Sequence, residues 1–320
     1  MHDTLGPVAA LDCGTNSTRL LIVAGDGSVL ERHMRITRLG EGVDATRKLS
    51  SEAMARTVSV LREYRALMER HGVVAARLVA TSAARDATNA NEFLTAALDA
   101  TGVRPEILSG IEEGALSFAG ATAHVPAERV GPGPVLVVDI GGGSTELVVR
   151  ELTPGAPVPH PSGVAAVSLD LGCVRVTERF FHADPPRAEE LVQAQRAVDE
   201  QLEAAHHRLP ELSPGGLLIG LAGTVSTIAA LDLGLARYER AAVHHVVLAR
   251  PRVEHWLETL AAEDVHARLA RPGMVEGRAD VIVGGVLILA AVMAVFDRES
   301  CLVSEDDILD GLVASLQTPA

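Results

Sequence analysis

The chain is poor in several residue types, and each shortage removes a class of function. Aromatic side chains make up only 2% of its 320 residues, too few for a surface on which nucleic-acid bases would stack. Lys48 is the only lysine. Phosphate contacts must therefore come from arginine, backbone or metal, and Lys48 sits in no Walker-type loop. The three cysteines, Cys13, Cys173 and Cys301, are odd in number, far apart and without a C-x-x-C spacing. That pattern argues against a zinc site or a disulfide framework and fits a reducing compartment, so a cytoplasmic setting is expected. No basic segment leads into a long apolar stretch at the start, so no signal peptide is expected. Positive charge is in deficit, with a formal net charge of −14, which disfavours nonspecific binding to nucleic acid or to an anionic membrane.

What is abundant is core material. Hydrophobic side chains reach 48%, ample for a folded protein of roughly two domains. The most apolar run, Val281 to Phe296, spans about 24 Å as a helix against a hydrocarbon core of roughly 30 Å. Asp280 and Asp297 bracket it and Gly284-Gly285 interrupts it. It reads as a helix buried between layers.

Apolar runs at Val8 to Asp12 and Thr18 to Ala24, followed by Gly25-Asp26-Gly27, predict a three-stranded meander. Ser50 to Gly72, Asn91 to Ala100, Arg187 to Arg208 and Pro251 to Ala262 carry helical periodicity. Strands are expected at Arg77 to Ala80, Glu106 to Leu108, Val135 to Val138, Glu146 to Arg150, Val164 to Leu169 and Gly216 to Leu221, with a Pro-rich loop at Pro154 to Pro161. The tail SEDDILDGLVASL reads as a capped amphipathic helix.

One internal repeat organises the chain. Residues 12–20 read DCGTNSTRL and residues 139–147 read DIGGGSTEL. Each copy follows an apolar strand, and they lie too far apart for a solenoid. Two copies, each opening about half the chain, predict a duplicated α/β domain with a cleft between the halves.

The repeated loop suits anion and metal chemistry. Glycines let backbone N–H groups converge on an anion, and hydroxyls add donors. An aspartate at a strand end offers a hard oxygen to Mg²⁺, which binds through one or two carboxylates plus phosphates and water. If each turn is centred on its middle pair, Asp139 faces Glu146 as a two-carboxylate site and Asp12 faces Arg19 as a less negative one. Glu146 must then point away from the core. Other segments are weaker alone. In SGIEEGALSFAGA, adjacent glutamates project about 100° apart, so only one can face a site. Arg85 follows a strand, and GLAGT offers Gly223 and Thr224 at a strand-to-helix turn. His206-His207 and His244-His245 are adjacent pairs without ligand spacing.

Taken in order, DCGTNSTRL, RLGEGVDATRKLS, TSAARDATN, SGIEEGA, DIGGGSTE, LGCVRVTERF, GLAGT and RADVIVGG resemble the exopolyphosphatase/guanosine pentaphosphate phosphohydrolase family, from Asp12 to about Leu316. That family belongs with the actin-like ATPases and sugar kinases. The resemblance implies two ribonuclease H-like α/β domains, 1–125 and 126–304, with helix 305–320 packing back on the first and the active site in the interdomain cleft. It implies Mg²⁺-dependent release of terminal orthophosphate from inorganic polyphosphate, or hydrolysis of the 5′-γ-phosphate of pppGpp, by a homodimer. By position, Glu113 matches the family's catalytic glutamate, and Asp139 and Glu146 its acidic residues near the metal. Asp12, Gly14, Thr15, Asn16, Ser17 and Arg19, Arg85, and Gly141, Gly142, Gly143, Ser144 and Thr145 fall on its phosphate-binding positions, and Gly223 and Thr224 on a cleft position. Thr15 stands where serine is common, and DILDGLV replaces a Leu-Arg-Glu-Gly sequence. The chain also stops short of the C-terminal helical domains of longer members, which favours short to moderate polyphosphates. A sugar or acetate kinase and a noncatalytic phosphate-ligand binder are the alternatives.

Overall fold

The computed structural model describes residues 6–131, 133–151, 164–212 and 215–317, so the Pro154 to Pro161 loop lies outside the described residues. The chain divides into two compact units, Met1–Gly120 with Ile308–Ala320, and Ala121–Asp307.

The first unit opens with the meander β1 (Val8–Cys13), β2 (Ser17–Val23) and β3 (Val29–Ile36). A short helix α1 (Val43–Thr46) and the long α2 (Ser51–Arg70) follow, then β4 (Ala75–Ala80), α3 (Ser82–Asp86), α4 (Ala90–Thr101), β5 (Pro105–Ile107) and α5 (Gly110–Thr122). Ser50 caps α2 by accepting from the Ala53 N–H at 3.1 Å, relieving one orphan donor of the first turn. The sheet runs β3-β2-β1-β4-β5, with β4 and β5 parallel to β1.

Strand alternation gives this sheet two apolar faces. Leu11, Leu20, Ile22 and Leu78 meet Leu61, Tyr64 and Phe93 of α2 and α4. On the other side Val8, Ala10, Leu21 and Val79 meet Leu116 of α5 and Ile308, Leu309 and Leu312 of the chain's last helix. Asp12 and Arg19 belong to this second face.

The second unit repeats the plan. It contains β6 (Val135–Ile140), β7 (Thr145–Arg150), β8 (Ala165–Leu169), α6 (Cys173–Phe180), α7 (Ala188–Arg208), β9 (Leu217–Leu221), α8 (Ala222–Asp232), α9 (Arg240–Val243), β10 (Val247–Ala249), α10 (Arg250–Ala261), α11 (Val265–Leu269), α12 (Ile282–Val295) and β11 (Ser300–Val303). Its order is β10-β11-β9-β6-β7-β8. Five strands, β8-β7-β6-β9-β11, match β3-β2-β1-β4-β5 in order and direction, and β10 adds an antiparallel edge. Leu136, Val138, Ile140, Leu147 and Val149 face the core built by α7, α8, α10 and α12. The apolar run near Val281 is this buried α12, and among the described residues no helix is long and apolar enough to cross a membrane.

The final helix, α13 (Ile308–Gln317), completes the first unit. It starts later than the tail motif suggested. Ser304 caps no helix but closes a turn on itself, accepting from the Asp306 N–H at 3.1 Å and donating to the Asp306 carbonyl at 2.9 Å. Gly311 allows α13 to touch α5, since a Cβ there would meet the Leu116 carbonyl oxygen at 2.1 Å. Gly311→Ala should therefore lower stability by about 1–3 kcal/mol through overpacking, read as a shifted urea midpoint; an unchanged midpoint refutes this close contact.

Beyond β11 lies a titratable cluster. His244 accepts from the Glu305 N–H through Nδ1 at 3.1 Å, and Asp306 pairs with His124 at 2.9 Å and Arg240 at 2.5 Å. His244 stacks on His245 with ring centroids 3.7 Å apart. Burial, then the charge of His245, pushes the His244 imidazole down to about 4, with Asp306 opposing. An unfolded histidine titrates near 6.5, so between pH 6.5 and 4 the unfolded chain takes up a proton that the folded one does not. Stability then falls with pH in that window. His244→Gln should show a smaller loss of urea midpoint from pH 7 to pH 5 than the parent; an equal loss would clear His244 of this role.

Candidate active site

The two repeat loops have one geometry. Gly14 N–H donates to the Ser17 carbonyl at 2.9 Å and Gly141 N–H to the Ser144 carbonyl at 3.0 Å. The cross-strand pairing is as the sequence predicted, with Asp12 opposite Arg19 and Asp139 opposite Glu146.

The carbonyls of both loops are turned away from the loop interior. In the first, Thr37 and Arg38 N–H groups hold the Asn16 oxygen at 3.1 and 3.0 Å, and Gly40 N–H holds the Thr15 oxygen at 2.9 Å. In the second, the start of α6 holds the oxygens of Gly141 and Gly142, through Cys173 N–H at 3.0 Å and Val174 N–H at 2.9 Å. A trans peptide points its C=O and its N–H in opposite directions. Among the described residues the N–H groups of Thr15, Asn16, Gly142, Gly143 and Ser144 donate to no protein acceptor. Each loop is thus a concavity of backbone donors, an arrangement suited to phosphate oxygens. Asn16 adds a buried Oδ1 without a hydrogen-bond partner among the described residues.

The loop hydroxyls differ in their surroundings. Thr15 Oγ1 lies 2.8 Å from Ser82 Oγ. Thr145 faces the core side of β7 and donates to the Leu171 carbonyl at 2.6 Å, so its side chain braces the loop. Ser144 is buried between the loop glycines and β7, and Ser17 opens β2.

The residues opposite the two aspartates set the charge of each loop. Arg19 donates to Asp12 Oδ2 through Nε at 2.9 Å and Nη2 at 2.7 Å, which balances that carboxylate. In the second unit Asp139 and Glu146 are both buried, 8% and 1% exposed. They lie on the face away from Leu147 and the helical core, so Glu146 does not point into that core. Ser168, opposite Glu146 on β8, donates to its Oε1 at 2.7 Å. Two hard carboxylates beside an anion-binding loop fit Mg²⁺, which completes its shell with phosphate and water. Among the described residues no group of three or more His, Cys, Asp or Glu is gathered to hold a metal ion.

The adjacent glutamates divide as helix geometry requires. Ser109 and Glu112 form a capping box: Glu112 Oε2 accepts from the Ser109 N–H at 2.9 Å and Oγ at 2.7 Å, and Ser109 Oγ accepts from the Glu112 N–H at 3.3 Å. That reciprocal bonding secures the start of α5 and, through the Ser109 hydroxyl first, holds the Glu112 carboxyl below its usual range. Glu113, one residue on, turns inward and is 8% exposed. Arg85 reaches it from α3, with Nη1 3.3 Å from Glu113 Oε2 and 3.0 Å from the Leu108 carbonyl. The first unit therefore brings Arg85 and Glu113 together at the C-terminal ends of β4 and β5.

Gly223 and Thr224 lie in the first turn of α8, which follows β9 directly at Ala222, a residue with φ of 66°. A Cβ on Gly223 would coincide with the Arg278 guanidinium, and one on Gly285 would meet Thr224 Oγ1 at 2.1 Å. Gly223 of α8 and Gly285 of α12 thus serve close packing. Ser168 and Arg175 were not singled out from the sequence. A lone polar residue at the inward phase of an apolar strand was the available signal for Ser168; Arg175 had only its place in LGCVRVTERF.

The duplicated α/β fold and paired anion-binding loops define a phosphate-handling protein, and the comparisons are specific. The model of the Ppx/GppA phosphatase family matches residues 21–318, and this chain belongs to that family. "Exopolyphosphatase 2" of Mycobacterium tuberculosis is 39% identical, with 97% of this chain and 98% of the relative covered. A crystal structure of the Aquifex aeolicus Ppx/GppA family member superposes with a TM-score of 0.75 at 31% identity, covering 97% of each chain. An exopolyphosphatase from Cytophaga hutchinsonii superposes with a TM-score of 0.85 at 25% identity, again covering 97% of each.

Proposed function

We propose that this protein is an exopolyphosphatase that releases terminal orthophosphate from inorganic polyphosphate of short to moderate length. One observation carries the reading: two loops of one design, each presenting backbone N–H groups, one beside the balanced Asp12–Arg19 pair and one beside the carboxylates of Asp139 and Glu146. A polyanion end needs donors in number, and its hydrolysis needs charge neutralised at the reacting phosphoryl group more than covalent help.

Asp139 and Glu146 would hold Mg²⁺, with Ser168 fixing the Glu146 carboxylate. Bound there, the ion supplies charge neutralisation at the phosphoryl oxygens. The Gly142, Gly143 and Ser144 amides bind the terminal phosphate, and the Thr15 and Asn16 amides bind phosphate in the first unit. Glu113 orients the attacking water and accepts its proton at a carboxylate oxygen, while Arg85 steadies that carboxylate and offers charge to a phosphoryl oxygen. Gly223 and Thr224, at the start of α8, are assigned to phosphate or ribose binding in the second unit by family position. The proton and water roles rest on family position, supported by the inward turn of Glu113.

A homodimer in the cytoplasm belongs to the same reading; three buried free thiols, Cys13, Cys173 and Cys301, support the reducing setting. The deciding experiment is a panel of tripolyphosphate, long polyphosphate, pppGpp and ATP with Mg²⁺. Orthophosphate should be released fastest from tripolyphosphate and moderate chains. Faster turnover of pppGpp than of any polyphosphate would overturn the substrate assignment. Turnover of ATP only when a sugar or carboxylate is added would mark a kinase.

A further inference from the structure

We propose that Arg175 is a positioning residue that sets the orientation of the Gly143–Ser144 peptide, and so decides whether the second loop can bind a phosphate. The inference rests on the reading of that loop as a phosphate site.

Three consecutive carbonyls of the loop are pinned to α6, but by different means. Gly141 and Gly142 accept backbone N–H groups, from Cys173 at 3.0 Å and from Val174 and Arg175 at 2.9 and 3.1 Å. The Gly143 carbonyl accepts the Arg175 side chain, Nε at 2.7 Å. Because C=O and the following N–H oppose each other across a trans peptide, each pinned carbonyl aims the next amide. The amides of Gly142 and Gly143 are therefore set by helix backbone, whereas that of Ser144 is set by one side chain.

That amide has reason to need a clamp. Gly143 lacks the Cβ that would restrict its backbone, so the peptide after it can rotate at little steric cost. Rotated, it would present a carbonyl oxygen to an incoming phosphate oxygen, replacing attraction with repulsion. Arg175 is built for the clamp: its residue is 6% exposed, and its guanidinium Nε–H is a charge-assisted donor. Gly172 allows α6 to come close enough, since a Cβ there would lie 2.2 Å from the Gly142 oxygen. Gly284 lets α12 press on the same turn, with a Cβ position 2.9 Å from the Cys173 carbonyl. In the first loop backbone amides do this work, those of Thr37, Arg38 and Gly40 holding its carbonyls.

The test compares the parent protein with Arg175→Met, Arg175→Lys and Gly172→Ala. Binding of inorganic pyrophosphate is measured by calorimetry, and kcat and KM are measured on tripolyphosphate, well below each unfolding midpoint. Arg175→Met should keep the parent's far-UV spectrum, bind pyrophosphate about 10-fold more weakly and lose on the order of 10²-fold in kcat/KM, in both KM and kcat. Arg175→Lys, which keeps a charged donor, should recover part of both. Gly172→Ala, which pushes α6 from the loop, should shift them the same way and carries the test if Arg175→Met fails to fold. A variant that is only less heat-stable, with parental pyrophosphate affinity and KM, overturns the proposal. A parent protein that binds pyrophosphate without hydrolysing polyphosphate overturns the substrate reading but leaves the binding comparison decisive. A parent protein that binds no pyrophosphate overturns both.

Discussion

Glu113→Gln should yield a folded protein that still binds polyphosphate and turns it over about 10²–10⁴-fold more slowly, a loss of roughly 3–5 kcal/mol in the barrier. The substitution is close to isosteric. The amide oxygen can still accept from Arg85 Nη1, now 3.3 Å from Oε2, and the α5 start is untouched because Glu112, not Glu113, completes the capping box with Ser109. What disappears is the capacity to take a proton from water. Steady-state rates on tripolyphosphate, alongside calorimetric binding of the same ligand, separate the two effects. A rate within a factor of about 3 of the parent's would sink the assignment, and the base would have to be sought elsewhere. Glu112→Gln serves as the contrast. Gln can keep the capping box with Ser109, so this variant should leave turnover near the parent's.

Asp139→Asn is expected to have the second large effect. A carboxylate 8% exposed, paired across strands with Glu146, is replaced by a neutral amide that binds Mg²⁺ poorly. Activity at a fixed, limiting Mg²⁺ concentration should fall on the order of 10²-fold, and the Mg²⁺ titration should shift to higher concentration. Removing divalent ions from the parent by chelation should abolish turnover, and adding Mg²⁺ should restore it. Ser168→Ala should act in the same direction but less, about 10-fold, because it only releases Glu146 Oε1 from a 2.7 Å hydrogen bond. An unaltered Mg²⁺ titration in Asp139→Asn would remove the second loop from metal binding.

Much of this arrangement could be read from the chain because strand alternation is a strong local rule. Once the two copies of the loop were aligned, the pairing of Asp12 with Arg19 and of Asp139 with Glu146 followed from the turn alone. The buried helix near Val281 was legible for a similar reason: a run too short to span a membrane and flanked by charge has only a core to occupy. The short strands β10 and β11 were not legible. Three or four residues carry no periodicity, and Val247–Ala249 and Ser300–Val303 become strands through partners distant in sequence. The tail helix was placed too early because SEDD has cap-forming residues, yet Ser304 spends its hydroxyl on Asp306. Arg175 and Ser168 were missed because their roles are relational: one acts on a carbonyl 32 residues earlier and the other on a carboxylate 22 residues earlier.

The return of α13 to the first unit has a consequence for biosynthesis. The sheet face of Val8, Ala10, Leu21 and Val79 waits for Ile308, Leu309 and Leu312, which a ribosome delivers only after the whole second unit. The second unit, Ala121–Asp307, is one unbroken stretch of chain and has all its parts earlier. The half that is translated first is thus the half that finishes last. A stop shortly before Ile308 would damage the first unit, leaving the sheet that carries Asp12 covered on that face by α5 without α13 and prone to aggregation.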